Sequence, residues 1–160
     1  MKVLQKIAKM NDEELYQLFQ NAIRLSESCD ADRAIKAIEL EWESRRQRSR
    51  SGKYKAARPE KGMLSALGYH VGHSHGVPAA IRRRILRHLF EGELPLVQSP
   101  AYTDEWGKPK SPTRYGKLIR TLESLANDPR LNAQANMEKA IIEWREDMDW
   151  VKQNLRVAAP

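Results

Sequence analysis

Apolar residues recur along most of this chain at every third or fourth position, the spacing of one helix face, and no stretch shows a convincing strand alternation. Leu15, Leu18, Phe19, Ala22 and Leu25 mark a first amphipathic helix. Asn11 is a good N-cap for it, and Glu14 stands where a capping-box acid reaches back. Asp12 and Glu13 suit the positive end of the helix dipole. Ser26 to Asp30 reads as a tight turn. Ala31, Ala34, Ile35, Ile38 and Trp42 then form a second stripe, with Glu39, Glu41 and Glu43 around it. So short a connection predicts an antiparallel helical hairpin. After Trp42 the stripe stops and a run of arginines begins.

From Ser49 to Pro59 there is no apolar period, and Gly52, two serines and Pro59 mark a linker. Pro59 suits the first turn of a short helix carrying Met63, Leu64, Ala66 and Leu67, closed by Gly68. Pro78 opens a stronger helix with Ile81, Ile85, Leu86, Leu89 and Phe90 inward, ended by Gly92. Residues 93–110, punctuated by Pro95, Pro100, Gly107 and Pro109, read as a long loop with an extended piece at 94–97. Ser111 and Pro112 start another helix, with Tyr115, Leu118, Ile119, Leu122 and Leu125 on its apolar face, and Asp128-Pro129 stops it. In the last helix Met137, Ile141, Trp144, Met148, Val151 and Leu155 are spaced 4, 3, 4, 3 and 4. That seam is short for an independent coiled coil, so packing on its own domain is expected rather than dimerisation. The predicted fold is all-α: an N-terminal helical hairpin over 1–48, a basic linker over 49–58, and a multi-helix domain with long loops over 59–160.

A chain of 160 residues can bury a core without disulfides or metal. Its 41% hydrophobic and 31% charged content implies well-solvated helix surfaces. Cys29 is the single cysteine, which excludes an intrachain disulfide. No apolar run approaches the ~20 residues of a membrane span, and Met1 to Ile7 lacks the apolar stretch of a signal peptide. A cytoplasmic location, with no membrane partner, is expected.

The net charge of +7 is unevenly placed. Residues 1–44 hold six basic and nine acidic side chains, whereas 45–62 hold eight basic ones against Glu60 alone. Cations strung along a backbone neutralise phosphates and release counterions. Arg45, Arg46, Arg48, Arg50, Lys53, Lys55, Arg58 and Lys61 are therefore candidate nucleic-acid contacts, with Tyr54 available to stack on a base. Arg82, Arg83, Arg84 and Arg87 extend the set, because they crowd the polar side of helix 78–91. Like charges four apart repel, and a helix that tolerates this often meets an anion. A helix-turn-helix pairing of 59–67 with 78–91 is disfavoured, since the intervening loop exceeds the three or four residues such a turn has.

His70, His73 and His75 fall close together in a glycine-rich loop, yet their spacing matches no structural zinc site and no cysteine is near, so no metal or cofactor is assigned. Tyr102 and Trp106, on a loop with Asp104, Glu105, Lys108 and Lys110, suit a protein-recognition surface, although such a tryptophan more often plugs a core. No catalytic triad order, phosphate-cradling loop or HExxH motif is present, and no enzyme is expected. The leading expectation is a nucleic-acid-binding accessory or regulatory protein that meets DNA or RNA through the basic linker and arginine-rich helix. The alternative is a helical protein-interaction module, an adaptor or inhibitor, without nucleic-acid binding or catalysis.

Overall fold

A computed structural model describes residues 2–25, 28–52 and 62–158. Among these the chain is all-α, with no strand. Its contacts divide it into two compact units that interleave along the sequence: Met1–Gly68 with Gly92–Asp104, and Tyr69–Glu91 with Glu105–Pro160. The division therefore differs from the continuous segments drawn on the sequence. Residues 63–68 and 92–104 cluster with the first helices rather than with the remainder of 59–160.

The first unit holds α1 (Lys2–Lys9), α2 (Asp12–Arg24), α3 (Cys29–Arg50), α4 (Met63–Ala66) and α6 (Pro100–Asp104). α2 starts as its sequence dictates: Asn11 Oδ1 accepts from the Glu14 amide at 2.9 Å, and Glu14 accepts from the Asn11 amide at 2.8 Å. Ser28 caps α3 by accepting from the Ala31 amide. α3 does not end with its apolar stripe but runs on through the arginines to Arg50. Arginine is a good helix former, and Asp30 and Asp32 at one end with Arg48 and Arg50 at the other match the dipole. α2 packs on α3, with Phe19 and Trp42 rings 5.3 Å apart and both residues buried. Gly68, at φ +86°, ends the turn after α4.

The piece 92–104 completes this core. Leu94, Leu96 and Val97 are buried, and the Leu96 carbonyl accepts from the buried Tyr16 hydroxyl at 3.1 Å. These residues are irregular rather than strand. Their polar backbone is answered by Thr103, whose Oγ1 accepts from the Val97 amide and donates to the Val97 carbonyl, both at 3.1 Å. Pro100, read from sequence as a loop residue, instead opens α6, with Ser99 Oγ accepting from the Tyr102 amide.

The second unit holds α5 (Ala79–Glu91), α7 (Pro112–Asn127), α8 (Pro129–Asn132) and α9 (Glu138–Asn154). Ser111 caps α7 with Pro112 behind it, and Asp128 caps α8. α9 packs against both α7 and α5. Trp144, Val151 and Leu155 of the terminal seam are buried within this unit, the intramolecular outcome expected for so short a repeat. No described helix is long and apolar enough to cross a membrane.

Because both reciprocal hydrogen bonds of the Asn11 capping box form, Asn11→Ala should destabilise the first unit by about 1 kcal/mol. A urea titration followed by circular dichroism reads this as a lower midpoint with unchanged slope.

Candidate functional site

The arginines singled out as phosphate contacts do two different jobs. Arg45 is 4% exposed. Its Nη1 donates to Asp12 Oδ1 at 2.9 Å, its Nε to Glu41 Oε1 at 2.7 Å, and its Nη2 to the Met10 carbonyl. Trp42 and Ile38 precede it on the buried face of α3, so the helix aims Arg45 into the core. Arg46 is half-buried and donates to Glu93 and to the Leu94 carbonyl, which fastens 92–104 to α3. Arg48 and Arg50 are exposed, pairing with Glu41 at 3.1 Å and Asp104 at 3.0 Å. Lys53, Tyr54, Lys55, Arg58 and Lys61 lie outside the described residues.

In the second unit the same division recurs. Arg82 is 2% exposed and Asp147 fully buried. Arg82 Nε and Nη2 take the two Asp147 oxygens at 2.6 and 3.2 Å, a fork-to-fork pair. Its Nη1 reaches Glu143 and the Val77 carbonyl. Burial alone lowers the Arg82 guanidinium, but the hydrogen bonds and charge of Asp147, then Glu143, outweigh it and hold the pKa above its ordinary value. Arg83 is partly exposed, with Nε 3.9 Å from Asp147 and no hydrogen-bond partner for that nitrogen. Arg84 is half-buried. Arg87 is exposed, 3.2 Å from Glu91, with its guanidinium 5.4 Å above the Trp150 ring centroid.

The histidine-bearing loop hangs from this buried cluster. Tyr69 donates to Asp147 Oδ2 at 2.6 Å, the Gly72 amide donates to Glu143 at 2.9 Å, and the Val77 amide closes the loop onto the His70 carbonyl. A Cβ on Gly76 would stand 2.2 Å from the Gly72 carbonyl oxygen, so glycine is required for that closure. His73 and His75 are exposed at the tip. Among the described residues no three His, Cys, Asp or Glu side chains converge to hold a metal ion.

Tyr102 and Trp106 are placed inward. The Tyr102 hydroxyl accepts from the Met63 amide at 3.1 Å, and Trp106 is 1% exposed, filling the core of the second unit. Arg114, 3% exposed, was not foreseen as a site residue. It donates to the carbonyls of Leu89, Trp106 and Gly107, tying the end of α5 to the loop before α7. Asp147 and Glu143 were also missed. A signal existed: Ala140, Trp144, Asp147 and Val151 share one face of α9, so an acid stands among core positions. Arg82 likewise shares its face with Ile85, Leu86 and Leu89.

Breaking the Arg82–Asp147 pair from either side should destabilise the second unit by roughly 3–5 kcal/mol, because a lone buried charge remains. Arg82→Met combined with Asp147→Leu should be more stable than either single variant in urea unfolding. Burial, then the charge and hydrogen bond of Asp147, push the Tyr69 phenol well above its usual range. Its folded pKa exceeds its unfolded one, so its contribution is complete below about pH 10 and is lost as pH rises beyond. Ultraviolet titration should show Tyr69 ionising only as the unit unfolds, and Tyr69→Phe should remove that step. Comparison with protein-family models, curated proteins and solved structures finds no match for this chain.

Proposed function

We propose that this protein is a cytoplasmic, non-catalytic accessory or regulatory factor that binds nucleic acid through phosphate contacts. The observation that carries the reading is where the charge ends up. Among the described residues the buried ionised groups are Arg45, Arg82, Arg114, Asp12 and Asp147. Among the described residues burial thus withdraws three cations and two anions, a net loss of one positive charge. Their interior consumes charge almost evenly, so a chain with a formal excess of +7 keeps a surplus that attracts polyanions.

Within the proposed contact set, Arg45, Arg46 and Arg82 serve the fold, and the binding role falls to the others. Arg50 pairs with the exposed Asp104, and the exposed Arg48 only shares Glu41, a largely buried carboxylate that Arg45 already holds. An exposed pair contributes at most about 1 kcal/mol, so a phosphate can replace Asp104 at small cost. Lys53, Lys55, Arg58 and Lys61 face only Glu60 in their own stretch of sequence, and Tyr54 lies among them. Arg83, Arg84 and Arg87 complete the set. DNA and RNA both satisfy this chemistry, since the contacts are to the shared backbone.

A helical protein-interaction module is the second reading. It is favoured by Leu25 and Leu40, which are 69% and 63% exposed on the first unit. The inward placement of Trp106 takes that residue away from such a surface.

Changing Arg45, Arg46, Arg48 and Arg50 together confounds binding with unfolding, because Arg45 is a core ion-pair partner. Lys53→Gln, Lys55→Gln, Arg58→Gln and Lys61→Gln combined is the cleaner probe. Mobility shifts on duplex DNA and on RNA at several salt concentrations should show affinity falling linearly on logarithmic axes. The fourfold variant should reduce the duplex slope by roughly 3 to 4. An unchanged slope, or no shift at low salt with a specific protein co-purifying, would overturn the assignment in favour of the interaction module.

A further inference from the structure

Of the four tryptophans, Trp42, Trp106 and Trp144 are buried, and Trp150 alone is half-exposed. It sits near the end of α9, where the Asn154 side chain donates to its carbonyl at 2.9 Å. Arg87 of α5 lies over this indole at 5.4 Å, and nearly half of the Arg87 side chain is open to solvent. Its one ion pair, with Glu91 at 3.2 Å, joins two exposed groups and is easily screened. One turn earlier, Arg83 is partly exposed and lies 3.9 Å from Asp147, a carboxylate already held on both oxygens by Arg82. The surface thus offers a cation 5.4 Å over the centre of an aromatic ring, with a second cation one turn away.

We propose that Arg87 and Trp150 form a stacking platform for an unpaired nucleobase, with Arg83 holding an adjacent phosphate. This rests on the nucleic-acid reading above and deepens it by naming single-stranded DNA or RNA as the preferred ligand. A guanidinium held over an indole sets a cation beside a π-surface, where any base can stack without hydrogen-bond readout. In a duplex the bases are already stacked on one another, so the platform has nothing to receive. Arg87 is also drawn down onto α9 rather than extended from α5 to reach into a groove. Trp150, which the sequence offers only as one more apolar residue of a long helix, becomes a binding residue through this pairing.

The test compares an oligothymidylate with an abasic strand of equal length, which carries the same phosphates and no bases, and with a duplex. Wild type should bind the oligothymidylate roughly tenfold or more tightly than the abasic strand. Trp150→Leu should bring that ratio close to one while leaving the salt slope unchanged. Arg87→Lys, which keeps the charge and loses the plane at an exposed site, should do the same without disturbing folding, as circular dichroism would verify. Trp150→Phe should retain most of the preference. A wild type that binds both strands equally, or an Arg87→Lys variant with the full wild-type ratio, overturns the stacking platform and leaves the electrostatic reading standing. A wild type that binds neither strand at low salt overturns both.

Discussion

Each unit is organised around a buried arginine that must find a carboxylate. A guanidinium removed from water is tolerated only when its donors are answered and its charge is matched, since the desolvation penalty is several kcal/mol for each ion. Arg45 meets Asp12 and Glu41 in one unit, and Arg82 meets Asp147 and Glu143 in the other. In both cases the pair joins residues far apart in sequence, Arg45 to Asp12 across 33 positions and Arg82 to Asp147 across 65. These contacts fix which helices lie together and in what register, because sliding either helix by one turn would strand a charge in the core.

The same constraint governs what reaches the surface. A buried cation that recruits a buried anion is electrically silent outside, so the charge seen by a partner is what remains after the pairs are formed. Here, among the described residues, the buried groups take nearly equal numbers of each sign, so burial shifts the balance of charge by only one. Arginine contributes to both populations because its five donors can satisfy carbonyls and carboxylates in a core as readily as phosphates in solvent. Arg114 illustrates the first use through the backbone: it donates to the carbonyls of Leu89, Trp106 and Gly107 around the end of α5.

The loop between α4 and α5 owes its shape to the second buried cluster. The Tyr69 hydroxyl, the Gly72 amide and the Val77 carbonyl bond to Asp147, Glu143 and Arg82 in turn. Such a loop is held at its base and free at its tip, so His73, Ser74 and His75 are presented rather than folded inward. The histidine spacing visible in the sequence thus lies on a displayed turn, with His73 and His75 exposed.

Local chemistry made most of the helices legible. The caps at Asn11 and Ser111 and the stops at Gly68 and Asp128-Pro129 are short-range events, settled by residues within one turn, and the chain alone determined them. It also determined the all-α class, because the 3.6-residue period is a property of consecutive residues. Three helices escaped that reading for local reasons: α1 lacks an acidic start, α6 opens on a proline that also signals a loop, and α8 opens on the Asp128-Pro129 pair that reads as a stop. What only the tertiary structure decided is which arginines face water. Arg45 and Arg48 are three residues apart on α3, yet one lies in the core and the other in solvent. Composition counts them alike. Their roles separate only when a distant helix brings Asp12 to the first and nothing encloses the second, since the partner that permits burial lies far away along the chain.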